Sequence, residues 1–306
     1  MKVLSAQPHI AAMAAYPLSD PTPQGWISLA QNESAFGPSA AALRAAIDCL
    51  GSAAFYPDPD WRDLRQAIAD VHDVPSHQIL CGAGSMELIG ALFRAFIGPG
   101  DTVIGSQYGY LFAETACQQI GARYLRAAEI GMIVCPDALL EIVTPETKIV
   151  FLCNPGNPTG TRIANERIVA LRKRLPPEII LVVDQAYAEF DTQDARPVFD
   201  LVQVSNTVVL RTFSKAYALA GARVGWGLFP NAIAAELRKL LNPNNTSCMS
   251  QAMARAAVMD QTHMQSLVSR IADLRGTLQK ALSQAGYKCP ESHTNFVLIP
   301  FADLAA

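Results

Sequence analysis

Lys215 stands just past an apolar, strand-like run, in the segment Arg211-Thr212-Phe213-Ser214-Lys215. A lone lysine is commonly solvated surface; one set beyond a buried strand and flanked by hydroxyls can serve as an amine that condenses with a carbonyl. Asp184 ends another such run, in Val182-Val183-Asp184-Gln185-Ala186-Tyr187. A carboxylate there is costly unless it meets a cation or caps the next helix. The turn Gly82-Ala83-Gly84-Ser85-Met86-Glu87 lies between a strand-like and a helical run. Its glycines let backbone N–H groups approach an anion, and a helix start favours negative charge. Glu87 stands where a nicotinamide-type G-x-G-x-x-G would place its third glycine, so that fingerprint does not apply. Asn154-Pro155-Gly156-Asn157-Pro158-Thr159-Gly160 carries more proline, glycine and asparagine than an ordinary turn requires, and reads as a rigid irregular loop. Gly221-Ala222-Arg223-Val224-Gly225 sets an arginine at the mouth of a further strand. A phosphate cup, an arginine, a strand-end aspartate, an amide and a reactive lysine are the parts that a pyridoxal cofactor needs.

These groups can converge only if the elements between them form one scaffold. Strand-like runs fall at 78–81, 102–105, 148–153, 179–183, 207–212 and 223–229, with helical runs at 87–96, 111–120 and 165–174. Apolar strands separated by amphipathic helices predict an α/β fold, a mostly parallel sheet covered by helices on both faces. Ligands then bind beyond the C-terminal ends of the strands, where the segments above lie. Upstream, a helix over 40–50 is closed by Gly51, and Asp60, with Asp63 in the capping-box position, reads as the N-cap of a helix running to Val71. Residues 1–35 show no period and read as an N-terminal arm, and 36–244 as a large domain. Residues 245–306 read as a smaller α+β domain with helices at 246–260 and 262–286 and a strand at 295–299.

The 306 residues are 50% hydrophobic and 17% charged, a globular composition, and the formal charge of -3 argues against general affinity for nucleic acid or anionic lipid. No apolar run approaches the roughly 20 residues of a membrane helix, and the N-terminus does not read as a signal peptide. The seven cysteines are scattered and without C-x-x-C spacing, which predicts a reduced, cytoplasmic protein without structural zinc. The five histidines show no ligand spacing, so no metal is expected.

From Tyr16 onward the chain resembles the fold-type-I pyridoxal-phosphate aminotransferases, and within them it is similar to the histidinol-phosphate aminotransferase group. The resemblance rests on Asn32-Glu33, Tyr56-Pro57, Gly84-Ser85-x-Glu87, Tyr108-Gly109, the N-P-x-N-P-T-G loop, D-x-A-Y, Ser214-Lys215 and Arg223, in that order. It implies that Lys215 carries pyridoxal 5'-phosphate covalently and then acts as base and acid at the substrate α-carbon. Asp184 would pair with the ring nitrogen, Asn157 and Tyr187 would bond the phenolic oxygen, and Tyr108 would stack on the ring. Backbone N–H groups of Ser85 and Met86, the hydroxyls of Thr212 and Ser214, and Arg223 would hold the phosphate. Tyr56 would reach the phosphate of a neighbouring subunit, implying a homodimer with shared sites, and Tyr16 and Asn32 would lie near the substrate. The implied partners are an amino donor, an amino acid or histidinol phosphate, and a 2-oxo acid such as 2-oxoglutarate. A decarboxylase of a phosphorylated amino acid, or a cofactor-binding protein without turnover, would share the same motifs.

Three positions depart from the family's habit: Met86 replaces a common Asp, Gly156 an Asn and Gln185 a Glu. Family members also run tens of residues further, so an incomplete small domain is expected here. The arginine that clamps the substrate carboxylate through a bidentate pair would fall in the absent part, and no arginine follows Arg275.

Overall fold

The computed structural model describes residues 4–17, 22–193 and 195–301. Its strands are β1 (Ile79–Gly82), β2 (Thr102–Ser106), β3 (Arg123–Ala127), β4 (Glu129–Ile130), β5 (Ile133–Val134), β6 (Thr147–Cys153), β7 (Ile180–Asp184), β8 (Thr207–Thr212) and β9 (Gly225–Leu228). β4 and β5 form a small antiparallel ribbon; the rest form one sheet in the order β1-β9-β8-β7-β6-β2-β3. Every pairing from β8 to β3 is parallel, whereas β9 runs antiparallel to both β8 and β1. β1, β2, β7, β8 and β9 are buried at every position, and β6 at all but Lys148. Strands covered on both faces have no polar side to present, which is why their sequences read as unbroken apolar runs.

Helix Ser85–Phe96 buries Leu88, Ile89, Ala91, Leu92 and Phe93 against this sheet, and Phe93 meets Phe151 of β6 edge-on at 6.3 Å. Each such leucine or phenylalanine contributes about 1.5–3 kcal/mol. That burial fixes the start of the helix at the sheet's C-terminal edge. Helix Asn165–Arg174 begins and ends where its period predicts, and helices Cys248–Met259 and Gln261–Gln284 follow the sheet.

The structure departs from the predicted elements in several places. Trp61, not Asp60, is the N-cap of helix Arg62–His72, in the left-handed region with φ 49°. Asp58 accepts from the N–H groups of Asp60 (3.1 Å) and Arg62 (2.9 Å), and the Asp60 carboxylate is drawn instead to Arg65 (2.6 Å) and Arg238 (2.5 Å). Gly51 does not close the preceding helix but sits inside a short 3₁₀ turn, Leu50–Ser52, that prolongs it. Residues 295–299 form no strand. Hydroxyls take up the local backbone: Thr294 N–H donates to Ser292 Oγ (3.2 Å) and Phe296 N–H to Thr294 Oγ1 (3.3 Å). β3 was not legible in advance, because Arg123 and Arg126 interrupt its apolar pattern. Charges of this kind suit an edge strand, the position β3 occupies.

Candidate functional site

A cavity of about 520 Å³ opens at the C-terminal ends of β6, β7 and β8, facing the start of helix Ser85–Phe96. Adjacent parallel strands bring its walls together: Cys153 pairs in register with Asp184, and Asp184 with Leu210. The chain beyond β8 turns through Phe213 and Ser214 to present Lys215 at the same edge.

The Lys215 ammonium donates to the carbonyl oxygens of Gln31 (2.6 Å) and Asn32 (3.2 Å). Burial pulls its pKa down to about 8, against the opposing pull of Glu33. At pH 7 roughly a tenth of the molecules then carry the neutral, nucleophilic amine, against a few in ten thousand for a solvated lysine. Asp184 is 3% exposed, and burial pushes its carboxyl up to about 7. Its Oδ1 accepts from the Ala186 N–H at 3.0 Å, and no ion pair among the described residues involves it.

Tyr187 is buried beside it, and its hydroxyl accepts from Asn32 Nδ2 at 3.2 Å. Lys215 Nζ lies 5.8 Å from the Tyr187 ring centre. Asn157 enters from the loop after β6, which is pinned by Asn154: its side chain donates to the Ile163 carbonyl (3.1 Å) and accepts from the Ile163 N–H (2.9 Å). Gly156 stands where the family has Asn; a side chain there would press within 2.7 Å of Thr159 Oγ1, so the small residue suits this loop.

Ser85, Met86, Thr212, Ser214 and Arg223 gather on another wall. The Thr212 hydroxyl donates to Ser214 Oγ at 3.0 Å. Gly84, with φ 82°, lies under the Arg223 guanidinium; a methyl group there would come within 2.5 Å of Nη2. A methyl on Gly225 would strike the backbone nitrogen of Ser85. These two glycines let β9 and the arginine pack directly on the turn, and the N-cap Gly84 leaves the first N–H groups of the helix without a side-chain acceptor.

The predicted residues therefore converge, with two exceptions. Tyr108 does not line the cavity: its ring is 43% exposed and its N–H donates to Glu129 Oε1 at 3.2 Å. Tyr110 lines it instead, because the turn ahead of helix Leu111–Gln118 directs that residue inward, where it packs near Phe112 with ring centres 6.3 Å apart. Tyr56 is 88% exposed and lies outside the cavity of its own chain. Tyr16 and Asn32 both line the cavity, Tyr16 edge-on to Phe112 at 6.1 Å. Glu33 and Cys153 also line it; Glu33 follows Asn32 in an arm without a periodic pattern, and nothing in the sequence marks its carboxylate as part of the site.

This donor set fits pyridoxal phosphate. A buried carboxylate without a cation suits a ring N–H⁺, a depressed amine suits an aldehyde, and free helix-start N–H groups with two hydroxyls and a guanidinium suit a phosphate.

A family model described as aminotransferase class I and II matches residues 24–305. A histidinol-phosphate aminotransferase of Jannaschia sp. is 40% identical over 282 residues, which are 92% of this chain and 78% of that protein. One from Paramagnetospirillum magneticum is 39% identical, covering 90% and 76%. The crystal structure of histidinol-phosphate aminotransferase from Sinorhizobium meliloti in complex with pyridoxal-5'-phosphate superposes with a TM-score of 0.83 at 33% identity, over 87% of this chain and 73% of that one.

Proposed function

This chain belongs to the class I and II aminotransferases, and from that premise we propose that the cavity around Lys215 and Asp184 is its active site and that histidinol phosphate is an amino donor. The protein is a pyridoxal-phosphate-dependent aminotransferase, moving an amino group between a donor and a 2-oxo acid. When bound, the cofactor supplies a carbonyl carbon for amines and a ring that withdraws electrons from the donor's α-carbon.

Lys215 Nζ would hold the cofactor through its carbonyl carbon, give that carbon up to the incoming donor amine and, as a freed amine, take the proton from the donor's α-carbon and return it to the cofactor's former carbonyl carbon. Its lowered pKa supports both duties, since the base must be neutral when it acts. Asp184 becomes ionised once a ring N–H⁺ provides the missing cation, and holds that proton in place. Asn157 and Tyr187 orient the phenolic edge of the ring, and Tyr110 packs on its face. Ser85, Met86, Thr212, Ser214 and Arg223 hold the phosphate. Asn32 and Tyr16 present the arm to the donor.

One observation carries this assignment: a buried carboxylate with no ion-pair partner among the described residues and a depressed lysine amine face the same cavity. Histidinol phosphate is proposed as donor because it is the substrate named for the relatives from Jannaschia sp. and Paramagnetospirillum magneticum, of whose lengths this chain covers 78% and 76%. Incubation with histidinol phosphate or phenylalanine plus 2-oxoglutarate tests it. Glutamate formation dependent on both partners is expected, fastest with histidinol phosphate. Release of carbon dioxide without amino transfer would refute it.

Two finer points belong to the same proposal. The enzyme works as a homodimer in which Tyr56 reaches the neighbouring site; the apolar residues Trp26, Ile27, Leu29, Ile47 and Phe55 are exposed and suit a covering subunit. It resides in the cytoplasm, which fits seven free thiols, three of them buried as small apolar groups. No helix among the described residues is long and apolar enough to cross a membrane.

A further inference from the structure

Glu87 is the third residue of helix Ser85–Phe96, yet its side chain folds back over the turn that precedes the helix. Its Oε2 accepts from the Ala83 N–H at 2.6 Å. The same oxygen accepts from Asn245 Nδ2 at 2.7 Å, a residue 158 positions away that does not line the cavity. Asn245 Nδ2 also reaches the Cys81 carbonyl on β1 (3.3 Å), while its Oδ1 accepts from the indole N–H of Trp61 at 3.0 Å. Trp61 is 3% exposed and held by the core. Both ends of the Asn245 amide are therefore committed, one to the turn and the other to a buried anchor.

The consequence falls on the direction of the helix-start donors. The Ala83 N–H is satisfied internally and the turn is closed by a Gly84 N–H to Gly82 carbonyl bond of 2.7 Å. Ser85 and Met86 line the cavity, and their N–H groups are the next helix-start donors that an anion there could take. A glutamate side chain has several accessible rotamers, and the second partner, Asn245, favours the one that folds back over the turn.

We infer that Asn245, acting through Glu87, is a positioning residue for the phosphate end of the cofactor. This rests on the cofactor site proposed above. Neither residue touches the reacting atoms; they set where two backbone donors point, and so act on affinity for the phosphate rather than for the aldehyde ring.

The test uses the full chain freed of cofactor, titrated separately with pyridoxal phosphate and with pyridoxal, which lacks the phosphate, by visible absorbance. Asn245→Ala is expected to weaken pyridoxal phosphate by roughly tenfold or more, the loss of a charge-assisted hydrogen bond, and pyridoxal by less than about twofold. Glu87→Gln keeps an oxygen for both donors and is expected to stay within about threefold of wild type. Should Asn245→Ala fail to fold, Trp61→Phe keeps an aromatic ring in the core, gives up some buried volume and removes the indole N–H that orients the amide; it is expected to give a smaller loss with the same selectivity. Equal weakening of both aldehydes, or no change in either, would overturn the inference while leaving the cofactor site intact. Wild-type protein that takes up neither aldehyde would overturn the site itself, and the inference with it.

Discussion

Burial displaces two ionisable groups of the cavity in opposite directions, Asp184 up to about 7 and Lys215 down to about 8. The folded Asp184 keeps a proton that the unfolded chain releases above its ordinary value of 3.8. Its burial therefore costs nothing below that value, costs more as pH rises toward 7, and reaches its full cost above 7. Asp184→Asn keeps an oxygen for the Ala186 N–H and removes the ionisation. In cofactor-free protein the variant is expected to gain on wild type between pH 4 and 7, reaching on the order of 4 kcal/mol above that range. Urea unfolding at pH 5 and pH 8 checks this; curves that differ by the same amount at both would contradict it. Lys215 and Asp184 were legible in the sequence because charged residues at the ends of apolar strands are chemically conspicuous. Which tyrosine lines the cavity was not: in Tyr108-Gly109-Tyr110 only the path of the backbone into the next helix decides which of the two does.

At the scale of elements, the buried strands were recoverable from sequence to within a residue or two, since β7 and β8 have no solvated face to break the pattern. β3 was hidden by the arginines that protect its edge, and 295–299 has strand-like composition but no neighbouring strand to pair with among the described residues. Tertiary partners decide such cases, and local pattern does not contain them. One element-level feature was also invisible: Arg211 of β8 donates to Glu189 (3.0 Å) and to Gln185 (3.2 and 3.1 Å), braced by the Phe199 ring at 5.3 Å. Both side chains of the ion pair are 5% exposed; Gln185 directly follows Asp184, and Gln185 and Glu189 bracket Tyr187. The Gln185 amide thus accepts a fork of the guanidinium, where the glutamate common in the family would add a second buried charge. Arg211→Met is expected to lower stability by about 3–5 kcal/mol, because Glu189 is left charged and buried. Adding Glu189→Gln should recover part of the loss in the same denaturation experiment; no recovery would mean that packing, and not the charge, sets the cost.

At the scale of the whole molecule, a solvated Tyr56 has no work within its own chain, yet the proposed dimer gives it a phosphate to meet across the interface. Mixing Lys215→Ala with Tyr56→Ala protein and refolding them together would form heterodimers with one site that has both defects and one that has neither. Amino transfer well above that of either variant alone is the expected outcome, and activity no greater than their sum would contradict shared sites. Eleven of the site residues read from the sequence line one cavity within a single chain, and that chain spans 78% of a relative 40% identical to it. Everything in this scheme depends on which lysine meets the aldehyde, and borohydride reduction of the cofactor-loaded protein followed by peptide mass spectrometry reads that directly. A single pyridoxyl group on the peptide containing Lys215 is the expected result, whereas a group on any other lysine, or on none, would contradict the assignment of this cavity as the active site.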